Sequence, residues 1–185
     1  MKLLVSNIPP LKTEHQNFKS AFMSGLEKYD KISIASGYIS VSSITEIQKI
    51  IQLNKKPKLD LIIGMHYFDG FTNPQYQAVK NLDSFLFEKE LGRIYLAYVS
   101  MYHGKIYSFE NSKNEPQETV IGSSNLSTIT TDQRIYESDL LIVDKKINKD
   151  IKEFLESLKK KYCKPFSDIH NIKINEKNIL LEEHY

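Results

Sequence analysis

Tyr102-His103-Gly104-Lys105-Ile106-Tyr107-Ser108-Phe109-Glu110 alternates in character with a period of two, which predicts a strand. His103, Lys105, Tyr107 and Phe109 fall on one face, with Gly104, Ile106 and Ser108 on the other. An imidazole and an ammonium two residues apart on a strand point the same way, about 7 Å apart along the backbone. Such a pair serves an anion: Lys105 as a fixed positive charge, His103 as nucleophile or proton carrier. After a polar loop comes Val120-Ile121-Gly122-Ser123-Ser124-Asn125, an apolar strand running into hydroxyl and amide donors. A turn there also presents N–H groups to an oxyanion. A third strand, Glu137 to Val143, opens on the acid Glu137.

Each of these features alone has a plain reading. A histidine beside a lysine is ordinary on a solvated strand face. Gly-Ser-Ser-Asn suits any turn or a helix N-cap, and Glu137 suits the edge of an apolar run. Their order on successive strands, His-x-Lys, then Gly-Ser-x-Asn, then an acid, is what outweighs the plain readings and points to chemistry on an anion.

At these residues the chain resembles the phospholipase D superfamily. His103 and Lys105 match its His-x-Lys element, and Gly122, Ser123 and Asn125 match its Gly-Ser-x-Asn element. Glu110 stands where that family usually carries Asp, with a longer gap to Gly122 than is common. Glu137 matches the acid that orients the imidazole in the nuclease branch. Ile34-Ala35-Ser36-Gly37-Tyr38-Ile39-Ser40 and Leu61-Ile62-Ile63-Gly64-Met65-His66-Tyr67-Phe68-Asp69-Gly70 are similar to segments of a narrower group, the NgoFVII-type restriction endonucleases. The similarity runs from about Leu3 to about residue 145.

Composition allows this reading. At 185 residues the chain is most simply one domain with a full core. A hydrophobic content of 41% with 26% charged residues is globular and not disordered. The net charge of +2 leaves any nucleic-acid surface to local clustering. Arg93 and Arg134 are the only arginines, so lysine carries the positive charge, which suits phosphate contact better than bidentate base reading. Cys163 is the one cysteine, which excludes an intrachain disulfide and a cysteine metal site. No apolar run approaches the ~20 residues of a membrane span. Asn7-Ile8-Pro9-Pro10 makes a poor signal peptide, so a cytoplasmic location is expected.

Periodicity supplies the remaining elements. Phe18, Phe22, Leu26 and Tyr29 predict a helix over 14–29, and Lys31 to Ile39 reads as a buried strand. Ser42-Ser43 would cap a helix carrying Ile44, Ile47, Ile50 and Ile51. Leu59 to Met65 is a near-continuous apolar strand, as parallel sheets require. His66 to Phe71 is then a loop at that strand's C-terminal end, where open α/β sheets bind ligands. Its aromatics either pack beneath the loop or form a rim. Asn73-Pro74 opens a helix ended by Gly92.

Strands follow at Ile94–Val99, Gly104–Phe109, Glu118–Ile121 and Glu137–Val143, with 127–133 a helical turn or a loop. Ile147 to Tyr162 is an amphipathic helix whose terminal Lys159-Lys160-Lys161 suits the macrodipole. The expected fold is α/β: a mixed, mostly parallel sheet flanked by helices on both faces, as the resemblance also implies. The expected domain is 1–165, with 166–185 a C-terminal tail or linker.

The resemblance further implies a metal-independent phosphodiesterase acting on DNA through a phosphohistidine, with no cofactor. In that superfamily two His-x-Lys motifs meet across a pseudo-twofold axis, and this chain holds one. His15 is followed two residues on by Asn17, His66 by Phe68 and His170 by Ile172, while His184 is penultimate. A homodimer would pool two copies. The expected catalytic residues are His103, Lys105, Asn125 and Glu137, with Lys105, Ser123 and Asn125 binding the phosphate. Glu137 would accept from the far nitrogen of His103, and Glu110, Gly122 and Ser124 would support the site.

The favoured reading is the catalytic domain of a type II restriction endonuclease whose sequence-recognition domain is separate or missing. The alternatives are a nonspecific nuclease of the same type and, in another class, a phosphatidyl transferase. The last is disfavoured by the single motif and the lack of a membrane segment.

Overall fold

A computed structural model describes residues 1–129 and 135–175. In chain order its elements begin with β1 (Lys2–Val5), α1 (Phe18–Lys28), β2 (Lys31–Ser36), α2 (Val41–Asn54) and β3 (Lys58–Ile63). The short α3 (His66–Asp69), β4 (Phe71–Thr72), α4 (Asn73–Glu88), β5 (Gly92–Ala97), β6 (Lys105–Glu110) and β7 (Pro116–Gly122) follow. A 3-10 turn (Leu126–Ile129), β8 (Ser138–Ile142), α5 (Lys145–Tyr162), β9 (Cys163–Pro165) and β10 (Ile174–Asn175) complete the described chain.

Eight strands form one sheet in the order β1-β8-β7-β6-β2-β3-β5-β9. β2, β3 and β5 run parallel, joined by the right length of chain for crossover helices α2 and α4. The remainder is antiparallel: β2–β6, β6–β7, β7–β8, β8–β1 and β5–β9. The sheet is therefore mixed, as expected, but the expected parallel majority is corrected. β6 and β7 are joined only by residues 111–115, and so short a connection can only reverse direction.

Strand alternation feeds two cores. Ile32, Ile34, Leu59, Leu61, Ile63, Tyr107 and Phe109 face Phe18 and Phe22 of α1, Ile44, Ile47 and Ile51 of α2, and Val79, Leu82 and Leu86 of α4. The opposite face sends Ala35, Ile62 and Ile106 against Leu155 and Leu158 of α5. Each fully buried Leu, Ile or Phe contributes roughly 1.5–3 kcal/mol. Caps set the helix starts a few residues from where periodicity put them. Asn17 Oδ1 accepts from Ser20 N at 2.9 Å, and Ser40 Oγ accepts from Ser43 N at 3.1 Å. Thr72 and Gln75 form a reciprocal capping box on either side of Pro74.

The segment after Pro165, expected as a tail, packs against the same core, and its last described residues form a separate two-stranded sheet with β4. Phe166 is buried against Phe71 and Tyr76, and Ile169 and Ile172 join the larger core. Ile174 and Asn175 pair in parallel with Phe71 and Thr72. The rest of that expected tail, 176–185, and the end of the polar run 127–133 lie outside the described residues.

Candidate active site

Four chain segments converge at one end of the sheet. Ser36, the last residue of β2, lies opposite Lys105, the first of β6. Gly122, the last of β7, lies opposite Asp139, next to the start of β8. This is the end onto which the parallel strands direct their C-termini, where open sheets place ligand sites. His103, Lys105, Ser123, Asn125 and Glu137 all come from it.

His103 precedes the strand instead of belonging to it, and it is exposed. Freed from the strand period, its ring turns onto Lys105. The ammonium nitrogen Nζ lies 3.2 Å from Nδ1 and 3.3 Å from Nε2, and it donates to the His103 carbonyl at 2.8 Å. The expected side-by-side pair is therefore in contact. Lys105 is only 8% exposed. Burial pushes its pKa down, with the nearby charge of Glu137 acting in the opposite sense. Among the described residues Lys105 enters no ion pair.

The Gly-Ser-Ser-Asn loop divides its labour by depth. Ser123 is exposed, and its hydroxyl donates to Glu137 Oε2 while accepting from Ser138 N at 3.0 Å. Asn125 Oδ1 accepts from Tyr38 N at 3.2 Å, which fixes the flip of the amide. Ser124, expected to support the site, is fully buried and serves the scaffold. Its hydroxyl donates to Asp139 Oδ2 at 2.6 Å and its N–H to Oδ1 at 3.0 Å, while its carbonyl accepts from the Tyr107 phenol at 2.8 Å. Gly122 is needed because a Cβ there would come within 2.3 Å of Asp139 Oδ1 and 2.5 Å of Asp139 Cα. Burial raises the Asp139 carboxyl, with the bonds from Ser124 and the Ser123 backbone holding it down in part.

Glu137 behaves differently from the expectation. Among the described residues its carboxylate takes a hydrogen bond from Ser123 and none from His103. Its backbone is clamped to Ser6, which accepts from Glu137 N at 2.9 Å and donates its own N–H to the Glu137 carbonyl at 3.0 Å. Glu110 is removed from the site altogether. Alternation along β6 sends it to the α5 face, 0% exposed, with Lys152 at 2.5 Å, Ser33 Oγ at 3.1 Å and Lys31 at 3.9 Å.

The sequence reading gave no role to the loop after β2. Gly37 lies so close to His103 that a Cβ would come within 3.1 Å of Cδ2. Tyr38 packs edge to face on the His103 ring, with centroids 5.7 Å apart. The signal available was position: Gly-Tyr directly follows a fully buried parallel strand. His66, in the neighbouring loop, is a satisfied core histidine. Nδ1 meets the Gly70 carbonyl at 3.0 Å and Nε2 accepts from Ile39 N at 3.4 Å. Its ring stacks on Phe71, and burial lowers its pKa.

Among the described residues no three His, Cys, Asp or Glu side chains gather as a metal site, and no helix is long and apolar enough to cross a membrane.

This arrangement, a mixed sheet with an exposed imidazole and a buried ammonium at one end, is the phospholipase D fold. Solved structures agree on the architecture. NucT from Helicobacter pylori is similar over 89% of this chain and 99% of its own, with 13% identity and a TM-score of 0.62. Nuc from Salmonella typhimurium, a phospholipase D family member, is similar over 89% and 97%, with 15% identity and a TM-score of 0.58. Phosphatidylserine synthase from Haemophilus influenzae shares the fold over 91% of this chain and 41% of its own, with 14% identity and a TM-score of 0.59. No curated protein matches the sequence. Residues 16–174 match the family model described as the NgoFVII restriction endonuclease N-terminal PLD domain, and the chain belongs to that family of nuclease-type hydrolases.

Proposed function

We propose that this domain cleaves the phosphodiester backbone of DNA through a phosphohistidine on His103, in a site completed by a second copy of the chain. The observation that carries the reading is the exposed His103 ring held against a buried Lys105 that enters no ion pair among the described residues. An ammonium so placed attracts an anion, and the imidazole beside it is within reach of the phosphorus of that anion.

His103 attacks phosphorus with a ring-nitrogen lone pair. The P–O bond to the leaving nucleotide breaks, and the partner's His103 gives that oxygen its proton. Water then attacks the phosphohistidine, yields its proton to the partner's His103, and releases His103 with its lone pair restored. Lys105 Nζ and the amide of Asn125 donate to the nonbridging oxygens, and Ser123 adds a further donor from the edge of the site. Glu137 acts through Ser123 on that edge in one chain; a bond from Glu137 to an imidazole would form only on assembly.

The charge on phosphorus is met by these cationic and neutral donors, so the reaction is expected to run without a divalent metal. A separate recognition element would choose the target sequence. The family's description as an N-terminal domain supports that division, and a cytoplasmic setting belongs to the same reading.

The second copy would seat on the open groove beside the site, which has a volume of about 610 Å³. Tyr102, Ile106, Ile121, Ile151 and Phe154 line it together with Lys105 and Gly122, so an apolar contact there abuts the catalytic end. Phe154 is 47% exposed and Ile147 38%, apolar area of the kind a dimer covers. The experiment is digestion of supercoiled plasmid in EDTA by the wild type, His103→Ala and Phe154→Glu, with the size of each measured in solution. Cleavage in EDTA, lost in His103→Ala and lost together with the dimer in Phe154→Glu, is the expected result. Cleavage that needs added Mg²⁺, or a fully active monomer, would sink it.

A further inference from the structure

We propose that Tyr38 is a positioning residue for His103, a fixed wall that holds the imidazole at the angle from which it attacks phosphorus. The proposal rests on the role given to His103 above. The two rings meet edge to face, 5.7 Å apart at 78°. Tyr38 meets the ring of His66 in the same way, 5.6 Å apart at 82°. His66 cannot yield, because it is 4% exposed, bonded at both nitrogens and stacked on the fully buried Phe71.

Tyr38 is also tied at three points of its own. Its N–H donates to Asn125 Oδ1 at 3.2 Å, its carbonyl accepts from Ser36 Oγ at 2.8 Å, and its phenol donates to Asp69 Oδ2 at 2.8 Å. Asp69 is braced in turn by Asn175, whose Nδ2 donates to its carbonyl at 2.7 Å. The wall thus links the core histidine, the phosphate-binding Asn125 and the His103 ring.

An exposed imidazole on a loop has several staggered conformers open to it. Lys105 restrains one side of His103 through its Nζ contacts, and those contacts alone allow the ring to swing about the ammonium. The edge of Tyr38 and the backbone at Gly37 close that freedom. A reacting group displaced by ~1 Å can lose about 10²-fold in rate. A ring that acts by position should therefore be replaceable by another ring.

Steady-state cleavage by Tyr38→Ala is expected to lose about 10- to 100-fold in kcat with KM changed less than about twofold. Tyr38→Phe, which keeps the wall and removes only the Asp69 bond, is expected to restore kcat to within about threefold. A second readout needs no turnover. In the substrate-free protein the His103 ring resonances, followed in a long-range proton–nitrogen correlation spectrum, should move in Tyr38→Ala and stay near wild type in Tyr38→Phe.

A folded Tyr38→Ala with wild-type kcat and unmoved His103 resonances overturns the proposal. A rise confined to KM also overturns it, since that would make Tyr38 a substrate contact. If Tyr38→Ala does not fold, Tyr38→Leu fills the space without a ring and is read by the same two measurements. Undiminished cleavage by His103→Ala would instead remove the role of His103, while the resonance test of the contact still stands.

Discussion

The two ends of the six-residue strand β6 carry two buried charges that the fold treats in opposite ways. Glu110, at the far end, is enclosed by Lys152, Lys31 and Ser33, and Lys152 also donates to the Asn114 carbonyl. Lys105, at the near end, has for company a neighbouring imidazole and a backbone carbonyl. A buried charge with its counter-charges in place is spent on structure, because its desolvation is already offset within the chain. A buried charge that enters no ion pair among the described residues keeps its attraction for an outside anion. The two residues lie five positions apart in the chain, and the sheet decides which of them stays available to an outside anion.

The sharpest way to break this comparison is to exchange the roles of the two lysines. Lys105→Ala should lower kcat/KM for plasmid cleavage by about 10²–10³-fold, as the loss of a preorganised donor to transition-state charge does. Lys152→Ala should leave specific activity unchanged. Equal losses in the two variants would mean that burial alone, not the kind of partner, matters.

Next in size, Glu110→Ala should cost about 2–3 kcal/mol of stability, measured by urea unfolding, because Lys152 and Lys31 are left facing a vacated site. Activity per folded molecule should be preserved. A cleavage defect in folded Glu110→Ala would return that carboxylate to the mechanism. Ser123→Ala, which frees the Glu137 carboxylate while removing an edge donor, should lose about tenfold in kcat/KM, roughly one charge-assisted hydrogen bond. A loss as large as that of Lys105→Ala would place Ser123 at the centre of the phosphate site instead of its rim.

The smallest effect concerns His66, the imidazole on the scaffold side of Tyr38. Burial lowers its pKa below the ordinary 6.5, so below pH 6.5 the unfolded chain binds more protons than the folded one. Stability is therefore full above that pH and is lost as pH falls through the depressed value. Unfolding free energies between pH 7.5 and 5 should decline in the wild type and decline less in His66→Gln. Parallel curves would remove His66 as a source of acid sensitivity.

Much of this was legible in the residues. The apolar runs at Lys31–Ile39 and Leu59–Met65 and the helical spacing from Ile147 to Tyr162 correspond to observed elements, while the period of two read over His103–Phe109 holds only from Lys105 onward. What periodicity could not carry was direction and partnership. Whether β6 to β8 lie parallel or antiparallel to β2 depends on loop lengths acting together, and so the parallel share was overstated. Glu110 and Ser124 look like site residues because they are neighbours of site residues in the chain. A strand turns every second side chain to the other face, and a tight loop buries one of two adjacent serines.

The order of chemical groups along the chain was enough to single out His103 and Lys105 as the proposed reacting pair, because an imidazole beside an ammonium suits anion chemistry. Only the folded molecule could bring Tyr38 against His103, draw Glu137 to Ser123 and turn Glu110 toward α5. Those pairings join residues 14 to 65 positions apart. They are fixed by strand register and burial, which depend on every layer of the sheet at once and not on any one stretch of sequence.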